Sequence, residues 1–394
     1  MLNKMSPMSR RLLPLYVAAF FQGVPFWYAT EKIFMLSIGF NTASIGVMVA
    51  VMSIVMLIVE TPSGILADRW SRKGVMILGT VALLISGIVG AVSYGEPMYI
   101  LSTVFWGVFA ALYSGTYDAV IYDSTLEVHG NSTMFQKYLG RFKAVEGAAF
   151  VIGALCGGLI ASSLDIRQTY IFSVPFITVA IFFLWRFHEP QIHKAEAADP
   201  VFKHIRQTFA AVLTKPVLLP VVIAIVGFAI LQDTVFELSQ LWFIAVSAPI
   251  ALYGLFSAAV FSSWTTGGLL AAKIKSKVTT VVLMGSILVC IVGLIIARDY
   301  RFVLGAQFIL AVSLVALSVI LAKKMHDELP SRLRAGSASV VSTLARAMLI
   351  PVSLLFTATA YRYDVFTATY ILLGIAVIAM TAYAFINSAK HSST

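Results

Sequence analysis

A few charged side chains stand inside long apolar runs of this 394-residue chain, and they are the residues best suited to chemistry. Arg346 lies about midway along one such run, in the sequence STLARAMLIP. An ionised group near the centre of a lipid bilayer is costly unless it is paired or hydrated. Arg346 is therefore predicted to pair with an acid or to bind an anionic ligand. A coupling role is favoured over a purely structural ion pair.

Two acids in another run are spaced for joint chemistry. Asp233 and Glu237 are four residues apart, which places them on one face of a helix. Two carboxyl groups this close couple their titrations, and such a pair suits a proton carrier. The alternative is that they mark an exposed helix end, and Asp233 is the deeper of the two.

Two further acids are candidates for the same work. Glu31 precedes Lys32 and is followed by apolar residues through Phe40, so it lies either within the membrane facing a cavity or at an outer helix end. Asp118 stands five residues before Asp123, roughly on the opposite side of the helix and deeper in the membrane. Both are predicted to take part in substrate binding or proton coupling.

Aromatic side chains in these runs are candidates for binding an amphiphilic ligand. Tyr113 and Tyr117 are four residues apart and are expected to share one helix face, and Trp27 lies in the first apolar run. Most Trp and Tyr residues of membrane proteins anchor the interface with water instead, and that interpretation stays open for each of them.

The elements that carry these residues must be membrane helices. Hydrophobic residues make up 59% of the chain and charged residues 12%, and the mean hydropathy is +0.91. The apolar runs are continuous rather than alternating, which argues against a β-barrel. The net charge of +10 reflects Lys and Arg in short loops, as positive-inside topology requires, and not nucleic-acid binding.

Spans of about twenty apolar residues predict an all-α membrane protein with twelve transmembrane helices and both termini in the cytoplasm. The predicted spans are near 12–36, 41–63, 75–94, 98–120, 138–162, 169–187, 216–246, 249–272, 278–297, 302–322, 335–358 and 365–387.

The chain shows an internal repeat at about half its length. Gly64–Lys73 reads GILADRWSRK and Gly268–Lys277 reads GLLAAKIKSK, each between two apolar runs. This duplication predicts two pseudo-symmetric six-helix bundles, residues 1–187 and 216–394. The polar segment 188–215 between them contains an amphipathic stretch, 201–213, that is expected to lie on the inner membrane face.

The first copy resembles the signature of the major facilitator superfamily in the loop between helices two and three, G-x-L-A-D-R-x-G-R-K, with Ser71 in place of the second Gly. This resemblance implies the major facilitator fold, in which two six-helix bundles surround a central cavity. It also implies transport by alternating access, through rocking of the two halves.

A second resemblance is looser and concerns the fifth predicted span. Its glycines are similar to the motif G-x8-G-x3-G-P-x-x-G-G of the family's drug:proton antiporters, although Ala149 and Ala154 replace a Gly and the Pro. The matching residues are Gly140, Gly153, Gly157 and Gly158. The alternative is that these small residues only allow close helix packing.

The family resemblance implies a cytoplasmic gate at the first turn, formed by Gly64, Asp68, Arg69, Arg72 and Lys73. Asp123 is predicted to be the acid that pairs with an arginine of this turn. Glu60, one turn before Gly64, is expected to join the network or to titrate during transport. In the major facilitator fold, Asp233, Glu237 and Asp118 are the acids expected to pair with Arg346.

These observations favour a secondary active transporter, and above all a proton-coupled exporter of amphiphilic small molecules or drugs. The alternative is proton-coupled uptake of a nutrient or an anionic metabolite. A membrane-embedded lipid-modifying enzyme needs a catalytic cluster that the sequence lacks. The expected partners are a small-molecule substrate, protons or sodium, and membrane lipids, with no nucleic acid, cofactor or metal. The expected form is a monomer that crosses the cell membrane many times.

Overall fold

The computed structural model describes residues 6–190, 219–274, 277–328 and 331–391. Within these ranges the chain forms fourteen α-helices and no β-strand. The all-helical membrane fold predicted from the apolar runs is thus confirmed. The predicted amphipathic stretch at 201–213 lies outside the described residues.

The helices of the first part are α1 (Pro7–Gly23), α2 (Glu31–Ser37), α3 (Thr42–Arg69), α4 (Arg72–Ala91), α5 (Glu96–Tyr113), α6 (Thr116–His129), α7 (Phe135–Ser163) and α8 (Gln168–Arg186). Those of the second part are α9 (Leu219–Ala245), α10 (Tyr253–Lys273), α11 (Lys277–Ile296), α12 (Tyr300–Glu328), α13 (Ser331–Arg362) and α14 (Val365–His391). Short 3₁₀ helices occupy Phe26–Ala29 and Ile250–Leu252.

Eleven segments of the described chain are long and apolar enough to cross a membrane, by length and composition alone. The predicted first span, 12–36, is not a continuous helix. It divides into α1, the 3₁₀ turn Phe26–Ala29 and α2. Pro25 explains the break, because it has no N–H to donate and its ring clashes with the preceding helical turn.

The fourth predicted span is also interrupted. α5 and α6 form one apolar segment, Glu96–His129, which is broken at Ser114 and Gly115. Gly115 has a φ of 73°, a left-handed conformation that a residue with a side chain adopts only at a cost. The break changes the direction in which residues on either side of it point.

The chain divides into two compact units. Unit 1 comprises Met1–Asn41, Val51–Glu196 and Pro249–Phe261, and unit 2 comprises Thr42–Ala50, Ala197–Ala248 and Ser262–Thr394. The bundle boundaries expected at 187 and 216 stay predictions.

The break after α1 is packed against glycines of α7. A Cβ atom added at Gly157 would stand 2.0 Å from the carbonyl oxygen of Phe26, and one at Gly153 would stand 2.5 Å from that of Val24. Side chains at either position would therefore collide with backbone. Two of the glycines that resemble the antiporter motif thus allow the broken segment to approach α7 closely.

Candidate transport site

Two charged residues of unit 2, Asp233 and Arg346, lie on α9 and α13. The guanidinium group of Arg346 is close enough to the carboxyl group of Asp233 for the two charges to attract each other. Both side chains are half-buried. Asp233 is fourteen residues into α9 and Arg346 is fifteen residues into α13, so each is near the middle of its helix. The structure thus brings together an acid and an arginine that were predicted from the sequence.

The remaining polar residues of α9 continue toward its C-terminus. Glu237 is half-buried one turn after Asp233, and Gln240 is buried. Near them, the side-chain amide of Gln307 on α12 donates to the carbonyl oxygen of Ser239 at 3.1 Å. Gln307 is only 1% exposed and was missed by sequence reasoning, because an amide carries no charge to mark it.

Tyr113 and Tyr117 of unit 1 are in contact across the break between α5 and α6. Their ring centroids are 4.4 Å apart, although the two residues belong to different helices rather than to one continuous face. The Tyr117 hydroxyl donates to Gln22 Oε1 at 2.8 Å, and Gln22 Nε2 donates to Thr80 at 2.6 Å. Tyr117 is buried, so in this conformation its hydroxyl orients Gln22.

Asp118 belongs to a cluster of charges between α6 and α7. Lys143 Nζ lies 4.0 Å from Asp118 Oδ1 and 3.2 Å from Glu146 Oε2. The hydroxyl group of Tyr113 also donates to Glu146. The side chains of Asp118 and Lys143 are about half exposed. Two carboxylates around one ammonium group give this cluster a net negative charge, which suits a ligand that carries positive charge.

Glu31 and Trp27 are parts of the packing at one end of unit 1. Glu31 forms an ion pair with Lys32, and its second oxygen accepts from the Tyr99 hydroxyl at 2.9 Å. Trp27 is 2% exposed and stacks on Tyr170 with ring centroids 5.0 Å apart. Trp27 therefore does not line an open cavity in this conformation.

The first copy of the repeated turn carries an ion pair. Arg72 is paired with Asp123 of α6, the acid that the sequence indicated for this turn. Glu189, after α8, accepts from the Arg72 N–H and from the Ser71 hydroxyl, both at 2.6 Å. Lys73 donates to the carbonyl oxygen of Trp185 at 2.6 Å. Glu189 was missed, because nothing in the sequence links it to a turn more than a hundred residues away.

The other residues predicted for the gate, apart from Arg72, Lys73 and Asp123, lie on the C-terminal turns of α3. Arg69 and Gly64 are exposed on the last turns of α3, and Glu60 is half-buried there. The side chain of Asp68 lies outside the described part of the structure. No group of three or more His, Cys, Asp or Glu residues in the described ranges is arranged to hold a metal ion.

Relatives of this chain include bacterial resistance proteins. It is 23% identical over 156 residues to the quinolone resistance protein NorA of Staphylococcus aureus, an alignment that covers 39% of each chain. It is 24% identical over 209 residues to the methylenomycin A resistance protein of Bacillus subtilis, covering 50% of this chain and 44% of that one. The chain therefore matches less than half the length of either relative.

Solved structures share this fold. The nucleoside transporter NupG superposes with a TM-score of 0.76 at 14% identity, over 97% of this chain and 99% of that one. A D-xylose-proton symporter gives a TM-score of 0.71 at 14% identity, over 95% and 97%. Likeness at such low identity establishes the fold.

A family profile decides the assignment. The Major Facilitator Superfamily profile matches residues 12–350, which includes the first turn, the charged residues of α9 and α13, and most of both units. The sequence resemblance noted at Gly64–Lys73 is thereby confirmed. The chain belongs to the Major Facilitator Superfamily of membrane transporters.

Proposed function

We propose that the chain is a secondary active transporter that exports amphiphilic small molecules in exchange for protons by alternating access. The observation that carries this proposal is the proximity of Asp233 and Arg346 near the middle of α9 and α13. The names of the resistance proteins that the chain resembles support export over uptake.

The Asp233–Arg346 pair supplies a chemical basis for coupling. While Asp233 is ionised, its charge is offset by Arg346, and the pair is tolerable within the membrane. A proton on Asp233 removes that attraction and with it part of the stabilisation of the guanidinium charge of Arg346. Protonation therefore changes the relative free energies of two conformations, which is the condition for a proton gradient to drive a transport cycle.

Unit 1 supplies the features suited to an amphiphilic substrate. The half-buried Tyr113, whose ring lies against the buried Tyr117, provides aromatic surface, and the neighbouring cluster of Asp118, Lys143 and Glu146 has a surplus of negative charge. An aromatic surface beside a negative site favours molecules with an apolar body and a positively charged group. In the same proposal, the Arg72–Asp123 pair stabilises one state of the gate.

Uptake of an anionic metabolite is the second candidate. It is favoured by Arg346, which is able to bind an anionic group when it is released from Asp233. The structural neighbours named as a nucleoside transporter and a D-xylose-proton symporter show that this fold also accommodates other cargo.

Flux measurements in proteoliposomes with an imposed pH or sodium gradient test the proposal. The panel contains a quinolone, a lipophilic cation, a nucleoside, a sugar and an organic anion. We expect a proton gradient to drive movement of the first two. Concentrative flux of the anion or nucleoside alone would instead establish the second candidate.

Two variants test the assigned residues. Asp233→Asn is expected to abolish gradient-driven flux but to retain exchange of labelled for unlabelled substrate, because exchange needs no net proton movement. Asp165→Asn, a change at an exposed carboxylate that binds the Arg167 N–H, is the matched control and is expected to retain both activities. Full gradient-driven flux in Asp233→Asn would contradict the assignment.

A further inference from the structure

A lysine of the chain itself lies in the negatively charged cluster of unit 1. The ammonium group of Lys143 on α7 is 3.2 Å from Glu146 Oε2, 4.0 Å from Asp118 Oδ1 and 5.4 Å from the centre of the Phe142 ring. Carboxylates and an aromatic face are the surroundings that proteins use to bind the cationic group of a ligand. The lysine therefore stands at a position that suits such a group.

The groups around this ammonium group are fixed by neighbours other than the lysine. Phe142 is 0% exposed, and its ring stacks on that of Tyr117 with ring centroids 5.2 Å apart. Tyr117 contacts Tyr113, whose hydroxyl group donates to Glu146. The side chain of Glu146 is only 16% exposed. Aromatic packing and this hydrogen bond thus position Glu146 and Phe142 independently of the lysine.

Lys143 is the movable member of the cluster. Its side chain is 49% exposed, and a lysine carries its charge on a flexible stem of four carbons. Charged side chains that are exposed on a membrane helix face a water-filled cavity. An ion pair with such access to water contributes little, because water also stabilises each charge. The ammonium group is therefore able to leave the two carboxylates at small cost.

The departure of the ammonium group changes the charge that the cluster presents. Two carboxylates and one ammonium group carry a net charge of −1, and the carboxylates alone carry −2. A cationic ligand thus competes with the lysine for the same carboxylates, and it meets a more negative site once the lysine has moved away.

We propose that Lys143 is a specificity-determining residue, which occupies the cation site of unit 1 until a cationic substrate displaces it. The cationic group of the substrate then lies between Glu146 and Asp118, and its apolar body packs beside Tyr113. Because the lysine lowers the affinity for every cation, only a cation that also gains apolar contact displaces it. Small hydrated cations are thereby rejected. This inference rests on the proposed function, since it takes the cluster to be the substrate site.

Equilibrium binding to the purified full-length protein in a neutral detergent, at one pH, tests this role. The probes are tetraphenylphosphonium and tetraphenylborate, which share a shape and differ in the sign of their charge. Lys143→Met removes the charge of the lysine and keeps an apolar stem, and Lys143→Gln is a second neutral variant. Lys137→Met is the matched control, because Lys137 is an exposed lysine on the same helix and outside the cluster.

The expected change is confined to the cationic probe. We expect both neutral variants of Lys143 to lower the dissociation constant of tetraphenylphosphonium about two- to fivefold, which is the gain from removing a competing hydrated ion pair. The binding of tetraphenylborate should not become tighter. Lys137→Met is expected to leave both dissociation constants unchanged. Lys143→Arg restores the positive charge and should bind tetraphenylphosphonium no more tightly than the parent protein.

A double variant shows whether the gain depends on Glu146. Glu146→Gln is expected to weaken the binding of tetraphenylphosphonium. Adding Lys143→Met to it should recover less than the gain seen in the parent background, because the lysine and the ligand compete for that carboxylate. A single symmetric gel-filtration peak verifies the folding of each variant.

Three results would overturn the inference. The first is an equal affinity of Lys143→Met and Lys137→Met for tetraphenylphosphonium; if Glu146→Gln still weakened binding, the proposed substrate site would stand without a role for the lysine. The second is a gain in Lys143→Met that persists in full in Glu146→Gln, because the lysine would then act elsewhere. The third is a failure of every variant to bind tetraphenylphosphonium, which would contradict the proposed cationic substrate as well.

Discussion

Ser71 is the residue at which this chain departs from the family signature, and the structure gives the substitution a use. Its hydroxyl accepts from the Gly74 N–H at 2.9 Å, which caps the N-terminus of α4, and it donates to Glu189. A glycine here would provide neither bond. The turn is therefore fixed by Ser71 and Glu189 on one side and by the Arg72–Asp123 pair on the other.

Removing the acid of that pair should destabilise the protein measurably. We expect Asp123→Asn to lower the free energy of unfolding by about 1–3 kcal/mol, because hydrogen bonds to charged groups are strong and both side chains are largely buried. Glu127→Gln, in the more exposed Arg11–Glu127 pair of the same helix, should cost less than about 1 kcal/mol. Unfolding in detergent micelles measures both, and equal losses would contradict this ranking.

At the scale of elements, the broken first segment and α7 depend on each other. The turn Phe26–Ala29 approaches α7 so closely that only glycine fits at Gly157, where a Cβ atom would meet a backbone oxygen. Backbone cannot move aside as the tip of a flexible side chain can. The glycines of α7 are thus a requirement of the fold as well as a family resemblance.

A pair of glycine substitutions on α7 tests that requirement. Gly157→Ala is expected to destabilise the protein by about 1–3 kcal/mol or to prevent its folding, because the added methyl group collides with Phe26. Gly140→Ala, where nothing lies within 4 Å, should be neutral or should stabilise α7 by up to about 1 kcal/mol. Thermal unfolding compares them, and a Gly157→Ala protein as stable as Gly140→Ala would show that α7 has room to yield.

The sequence was sufficient for the helices but not for their interruptions. Long apolar runs must be helical in a bilayer, since only a helix satisfies its own backbone groups, so most spans could be predicted. Pro25 could have marked the break after α1, but the close approach of the following turn to α7 could not be predicted, because it depends on glycines more than a hundred residues away. The burial of Lys32 could not be predicted either, because it depends on how α2 packs in the folded chain.

The candidate site was predictable to a similar extent. A charged side chain is costly within a membrane, and for this reason Asp233 and Arg346 were recognised as unusual residues. Their opposite charges made a pairing reasonable. This cost did not identify Gln307 or Glu189, whose partners are set by how the helices pack. The sequence marks residues that need a partner, whereas the packing of the helices determines which partner each one meets.

At the scale of the whole molecule, the two helices that follow the copies of the repeated turn end in a similar way. α4 and α11 each follow one copy of the repeated turn, and an arginine donates to one carbonyl oxygen in the last turn of each helix and to another just beyond it. Arg167 serves α4 and stacks on Tyr94 at 4.3 Å, and Arg298 serves α11 and stacks on Phe366 at 3.7 Å. Arg167 directly precedes α8, whereas Arg298 follows α11 itself. The two helix ends therefore have a similar arginine contact although the arginines do not correspond in the sequence.

The orientation of the chain across the membrane, with both termini in the cytoplasm, stays a prediction from its loop charges and is open to a direct measurement. Ser37, at the end of α2, and Ser132, in the loop before α7, are both exposed. In a protein whose two cysteines are replaced, by Cys156→Ala and Cys290→Ala, an impermeant maleimide applied to intact cells should label Ser37→Cys. It should leave Ser132→Cys unlabelled until the cells are opened. The reverse pattern would place the termini outside.

The interrupted first segment also has a consequence for biogenesis. α1 has 17 residues and leaves the ribosome before α7, yet the glycines that receive the turn after α1 lie on α7. The Tyr99 hydroxyl, which donates to Glu31 of α2, and the Tyr170 hydroxyl beside it are also synthesised later. The N-terminus must therefore enter the bilayer provisionally and reach its final position only after α8 has been made. Nascent chains arrested before and after α8 should differ in protease protection of residues 24–40.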